Sequence, residues 1–332
     1  MAMRWRKIPA AIAAVAVIAT VGAALDRRGA HGQAELWPQR PVRIIGPYAA
    51  GGNSDGMARL AAQRLGEAFG QTFVVENRVG ANGAIATEAV ARSPADGYTL
   101  LWAATPPLTI NPALTKVNYD PIKDFAPISA VAVNAFVLVV NKDFPPKTVA
   151  EFIAYVRAQP NKLAYAEGSA GSLTHLTMAL FLKRAGLQMS NVSYRGNAPA
   201  LTDVVAGHLP TMFSNISDAM PQAAAGSVRL LAVSSKERAP QLPDVPTVAE
   251  SGFPDFNVLT WNGLMAPAGT PRDIVDKIAA EIGRAVKDRQ FAARLEQYGA
   301  DPLGNTPAEF SAMVAADTAL WANTIQSLGL KF

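Results

Sequence analysis

The chain has 332 residues, half of them apolar, with a formal net charge of +4 and no cysteine. That length gives room for two domains with real cores, so a disordered chain is excluded. Without thiols there are no disulfides, cysteine nucleophiles, iron–sulfur clusters or thiolate zinc sites.

At the N-terminus, Arg4, Arg6 and Lys7 precede an apolar, charge-free run over 8–25. This is the pattern of a secretory signal peptide. The run reaches about 18 residues, the lower limit for a spanning helix, so an uncleaved anchor is the rival reading. Alanine richness favours the signal. Small residues before Ala24 and Ala34 both suit cleavage. The folded pattern starts soon after Ala34, which assigns 1–34 to the leader and predicts a periplasmic protein. The leader carries Arg4, Arg6, Lys7, Arg27 and Arg28 against Asp26, a net of +4, so the remainder is about neutral. Neither nucleic acid nor an anionic membrane is expected as a partner.

Elements then alternate. Strands are predicted over 42–48, 72–77 and 98–103, with amphipathic helices over 56–69 and 84–93 between them. This order predicts a mostly parallel sheet flanked by helices. The valine-rich, uncapped stretch 125–144 reads as one or two long strands crossing between domains. A second α/β series follows. Thr148 and Glu151 form a capping box for a helix to about Ala158. Strands are expected at 162–167, 191–196 and 210–215, and helices at 172–186 and 199–208. The segment 228–235 reads as a strand returning to the first domain. Thr270-Pro271 and Thr306-Pro307 mark the starts of two terminal helices. The expected organisation is a first lobe of 35–142 plus 233–332 and an inserted lobe of 143–232, joined by strands.

Several segments together carry a resemblance: "WPQRPVRIIGPYAAGGNSDGMARLAAQRL", "VVENRVGANGAIATEAVARSPADGYTLL", "VSYRGNAPALTDVVAGHLPTMF", "RLLAVSS" and "WNGLMAPAGTPRDIVDKI". In this order, from Trp37 to the C-terminus, they resemble the periplasmic receptors of tripartite tricarboxylate transporters, also called Bug-type receptors. The resemblance implies an α/β, two-lobed periplasmic binding protein fold (type II-like). It also implies a small carboxylate trapped between the lobes and delivery to membrane transporter subunits. Tyr48 stands where the family commonly has Phe, Val79 where it has Pro, and Glu167 where it has a small or hydroxyl residue.

Two loops bear the chemistry. Between strand 42–48 and the following helix, Gly51 and Gly52 let the backbone approach a ligand, and Asn53 and Ser54 stand at the helix start. Helix-opening N–H groups lack internal partners and carry about half a positive charge, which suits a carboxylate. Asp55 is in the same loop. It caps the helix, and reaches a ligand only if that ligand also bears an amine. The second loop, Glu167 to Ser172, repeats the arrangement, so Ser169, Ala170, Gly171 and Ser172 join the candidate set. If Glu167 faces the cleft it repels a second carboxylate and favours an amine, amide or hydroxyl. If it faces solvent it has no such effect. Tyr48, Thr105 and Asn215 complete the set, each at the end of a strand. Arg195 reads as a surface charge, and Trp102 and Trp261 as core. No cofactor or metal is expected, and a monomer is.

Gly52-Asn53-Ser54-Asp55-Gly56 also reads as G-x-S-x-G, a hydrolase nucleophile elbow. A serine hydrolase needs a histidine in reach. Beyond the leader there are only His175 and His208, both in the second lobe, with a packing or capping role read for each. No phosphate loop, dinucleotide fingerprint or HExxH is present. Two functions remain: a transport receptor, and a receptor feeding a signalling partner. An enzyme using Ser54 is the third, disfavoured reading.

Overall fold

A computed structural model describes residues 37–329. The leader assigned to 1–34 lies outside the described residues. The first strand, β1 (Val42–Gly46), pairs in parallel with β2 (Phe73–Asn77) and β3 (Thr99–Ala104). Helices α1 (Asn53–Phe69) and α2 (Ala84–Ala91) connect them. After β3 come a π-helical turn, Pro106–Ile110, and the short α3 (Asn111–Leu114).

The long β4 (Phe125–Asn141) then serves two sheets. Its first half pairs antiparallel with β9 (Leu259–Pro267), which lies against β3. Its second half pairs with β7 (Thr211–Asn215) and β8 (Val228–Val233). In that half Phe136, Leu138 and Val140 enter one core, while Ala135, Val137 and Val139 enter the core on the opposite face. A strand covered on both faces needs apolar side chains at every position, which is why 125–144 shows no alternation.

The second series runs α4 (Val149–Arg157), β5 (Ala164–Glu167), α5 (Leu173–Ala185), β6 (Ser190–Ser193), α6 (Asn197–Ala206), β7, α7 (Ile216–Ala224) and β8. The chain ends with α8 (Arg272–Ala285), α9 (Arg289–Gln297), β10 (Asp301–Pro302) and α10 (Pro307–Leu328). Thr306 and Glu309 form the complete capping box of α10. At α4 Thr148 accepts from the Glu151 amide, but the Glu151 carboxylate takes the Lys147 N–H instead of that of Thr148.

The α/β periplasmic binding protein fold is present, but its sheets are not mostly parallel. Among the described residues, three strand pairings are parallel and five antiparallel. The parallel part is what strand–helix–strand connections build. The antiparallel part comes from β4, which pairs with β7, β8, β9 and β10, and from β9 against β3. Helix α7, strand β9 and helix α9, which lies between the two terminal helices expected, were not expected from the sequence.

Candidate functional site

The carboxyl ends of β1, β5, β6 and β7 lead into α1, α5, α6 and α7, so four helices begin on the same side of their strands. That is where open α/β sheets bind ligands. The capping or first residues of all four helices line one cavity of about 360 Å3. Gly52, Asn53 and Ser54 come from α1. Ser172, Leu173 and Thr174 come from α5, Gly196 and Asn197 from α6, and Asn215 from α7. The remaining wall includes Tyr48, Asn134 and Phe136 of β4, and Thr260 and Asn262 of β9. No charged side chain is among the lining residues. The volume suits a small organic molecule, and the exposed helix-opening amides supply the positive potential.

Close approach at two glycines makes this convergence possible. The Gly168 carbonyl oxygen accepts from the Gly196 amide at 2.6 Å, and a Cβ at Gly168 would sit 3.2 Å from the Asn197 nitrogen. At Gly56 a Cβ would lie 2.5 Å from the Tyr298 ring, which packs on the first turn of α1. The second glycine of G-x-S-x-G therefore admits an aromatic ring, and the motif is not a nucleophile elbow.

Seven of the twelve residues expected from the sequence line the cavity: Tyr48, Gly52, Asn53, Ser54, Ser169, Ser172 and Asn215. Five do not. The buried Asp55 carboxylate accepts from the Gly51 amide (2.9 Å), Arg59 Nε (2.9 Å) and Asn77 Nδ2 (2.9 Å). Burial pushes its pKa up, but the Arg59, Gly51 and Asn77 hydrogen bonds outweigh this and hold it below the usual carboxylate range. It ties the first loop together from behind. Thr105 is buried, and its hydroxyl accepts from the Trp261 amide at 2.9 Å. Glu167 faces neither cleft nor solvent. It is fully buried, with Oε2 2.9 Å from His175 Nδ1 and Oε1 accepting from Asn191 Nδ2 (3.1 Å) and the Ser193 hydroxyl. Ala170 and Gly171 belong to the loop, but Ala170 is exposed outside the cavity and Gly171 turns its amide to His175 Nδ1 at 3.1 Å. Sequence reasoning missed Asn134, Thr174, Asn197, Thr260 and Asn262. The start of α6 was readable from Pro199, which sits in the first turn, but the helix begins two residues before it.

Ser54 holds the wall together. Its hydroxyl donates to Asn262 Oδ1 at 2.7 Å and accepts from Trp102 Nε1 at 3.0 Å. Its one proton is committed to an amide oxygen, and the buried Glu167–His175 pair and the exposed His208 both lie elsewhere. Replacing Ser54 by Ala leaves the buried Trp102 N–H without an acceptor. Chemical denaturation should register a loss of about 1–3 kcal/mol. Unchanged stability would show that this bridge is not a structural link. Tyr48, half-buried, has its phenol pKa raised by burial and then by Tyr119, so it presents a neutral hydroxyl.

The residues 57–330 match the family model described as "Tripartite tricarboxylate transporter family receptor". Protein BugT of Bordetella pertussis is 34% identical over 316 residues, 95% of each chain. Among solved structures, R. palustris Rpa4515 with adipate is 35% identical with a TM-score of 0.78, covering 89% of this chain and 99% of that one. MatC from Rhodopseudomonas palustris with bound malate is 33% identical with a TM-score of 0.74, covering 87% and 100%. The chain belongs to the tripartite tricarboxylate transporter receptor family, the Bug-type periplasmic solute-binding proteins, and is a binding protein, not an enzyme.

Proposed function

We propose that this receptor captures a small organic carboxylate in the cavity between its two lobes, 35–142 with 233–332 and 143–232, and delivers it to membrane transporter subunits. One observation carries the reading: four helices open onto an enclosure whose lining has no charged side chain. Among the described residues that line it, the helix-opening amides supply the positive potential, and they match carboxylate oxygens in charge and in hydrogen bonding. Relatives bound to adipate and malate support the same class. The ligand-binding set we propose is Tyr48, Asn53, Ser54, Ser169, Ser172, Thr174, Asn197, Asn215 and Asn262. Contacts across the cleft support closure around the ligand. Asn53 Nδ2 donates to Ser217 Oγ at 2.9 Å, joining the starts of α1 and α7. The closed form is the one the membrane partners recognise, in the periplasm and as a monomer.

A thermal-shift panel of mono-, di- and tricarboxylates tests this. A specific acid at a hundredfold excess over its Kd should add ~3 kcal/mol of apparent stability. No response to any acid in the panel would refute the proposal.

A further inference from the structure

The face of β9 turned away from the cleft borders a second cavity. Side chains alternate along a strand. Thr260 and Asn262 line the cleft, while Leu259 and Trp261 face α10. Between α10 and the segment that enters β9 lies a space of about 170 Å3, bordered by Val258, Leu259, Met313, Asp317, Leu320 and Trp321, with Asn257 beside them. None of these residues lines the cleft. Helix α10 changes partners at this point. Its Phe310 and Val314 belong to the core that holds Trp261, and its Trp321 and Ile325 to the core that holds Phe181 and Phe213.

The lining is apolar except for two residues. Asn257 Oδ1 already accepts from the Lys236 amide at 3.0 Å. Asp317 is half-buried and is the single charged residue of the lining. Its Oδ2 accepts from Trp261 Nε1 at 2.7 Å. Among the described residues no basic side chain pairs with it, and its Oδ1 has no hydrogen-bond partner. Burial pushes its pKa up, and the Trp261 hydrogen bond offsets only part of that. A carboxylate drawn out of water without a cation is costly.

The chemistry of the lining selects the guest. An anion is repelled. A metal ion takes several oxygen donors, and this lining sets one carboxylate among hydrocarbon. A neutral apolar molecule leaves the carboxylate unpaired. An organic ammonium ion meets both demands: its charge pairs with the carboxylate, and its hydrocarbon covers the apolar wall, where the Trp321 ring also attracts a cation. A cavity of about 150 Å3 holds benzene, so the guest has about six to eight non-hydrogen atoms.

We propose that this cavity is a second binding site, separate from the cleft. It takes a small organic ammonium ion, with the charge at Asp317 Oδ1 and the hydrocarbon against Leu259, Met313, Leu320 and Trp321. The inference goes beyond the carboxylate reading and stands without it.

The test is isothermal titration of the mature chain with benzylamine and pentylamine, beside benzyl alcohol and pentanol. An amine should bind about tenfold tighter than its alcohol, because a hydrogen bond between ions is stronger than a neutral one. Asp317→Asn keeps an acceptor for Trp261 Nε1. It should weaken the amine about tenfold and leave the alcohol nearly unchanged. Amide NMR of the wild type should place the benzylamine shifts at 257–259 and 313–321, not at the helix starts of the cleft. The inference is overturned if neither amine binds, if the alcohols bind as well as the amines, or if the shifts fall in the cleft. A folded Asp317→Asn protein that binds the amines like the wild type overturns it too. Circular dichroism checks that the variant is folded. Should it misfold, the amine-to-alcohol ratio and the shift map of the wild type decide. No carboxylate enters these measurements, so this inference and the carboxylate reading can each fail alone.

Discussion

Thr174→Asp should leave the protein as stable as the wild type, or a few tenths of a kcal/mol more stable, and reduce carboxylate affinity more than a hundredfold. Thr174 is the second residue of α5, after the Ser172 cap, and it lines the cavity. An acidic side chain in a helix's first turn is favourable by about 0.3–1 kcal/mol. The same charge occupies the potential that the ligand needs. Two like charges ~5 Å apart repel by about 3 kcal/mol at an effective dielectric constant of ~20, more than two orders of magnitude in Kd. Thr174→Asn changes shape similarly without the charge and should stay within about fivefold of wild type. Calorimetric titration with adipate, malate and citrate, beside denaturant unfolding, reads both quantities. Retained affinity in Thr174→Asp would mean that the α5 start does not hold the carboxylate.

The sequence made the backbone of this site readable and its side-chain directions largely not. Strand, small-residue loop and helix recur at 42–69 and 164–185, and both loops line the cavity. Local rules reach that far, because a cap and an amphipathic stripe are written within a few residues. Asp55 and Glu167 show the limit. Their directions depend on Asn77 for one, and on Asn191 and Ser193 for the other, residues brought close only by strand pairing. Strand β9 was hidden because Asn262-Gly263 and Pro267 read as turn signals. In the structure Gly263 lies inside the strand, where a Cβ would meet the Ser129 carbonyl oxygen at 2.6 Å and the Phe310 ring at 2.9 Å. Close packing of α10 on the sheet, not a turn, requires that glycine. Pro221 hid α7 in the same way, since proline argues against a helix interior. With α7 went Asp218, the acceptor that holds Asn197 and Asn215.

Glu167→Ala should cost about 3 kcal/mol or more at neutral pH, although the residue touches no ligand. Removing one member of a buried pair leaves the other without compensation, typically at 3–5 kcal/mol. Here it removes the carboxylate beside the buried His175 and the acceptor of Asn191 and Ser193, at the residue that precedes the loop carrying Ser169 and Ser172. The pH dependence follows from the direction of the shift. Burial pushes the Glu167 pKa up, but hydrogen bonds from His175 and Ser193, the His175 charge and Asn191 together hold it below its ordinary 4.5. A carboxyl lowered in the folded state stabilises fully above its unfolded pKa and loses that contribution as pH falls through the folded value. Wild-type stability should therefore be flat from this source above about pH 5 and decline below about pH 4. Glu167→Gln keeps an acceptor for Asn191 and Ser193 and replaces the oxygen facing His175 by an amide N–H, but it cannot titrate. It should be less damaging than Glu167→Ala and flatten part of the acid decline. Urea unfolding of the three proteins from pH 3.5 to 7 measures both effects. Parallel wild-type and Gln curves would remove Glu167 as a source of the acid sensitivity. An Ala variant as stable as wild type would show that the buried pair does not support the binding loop.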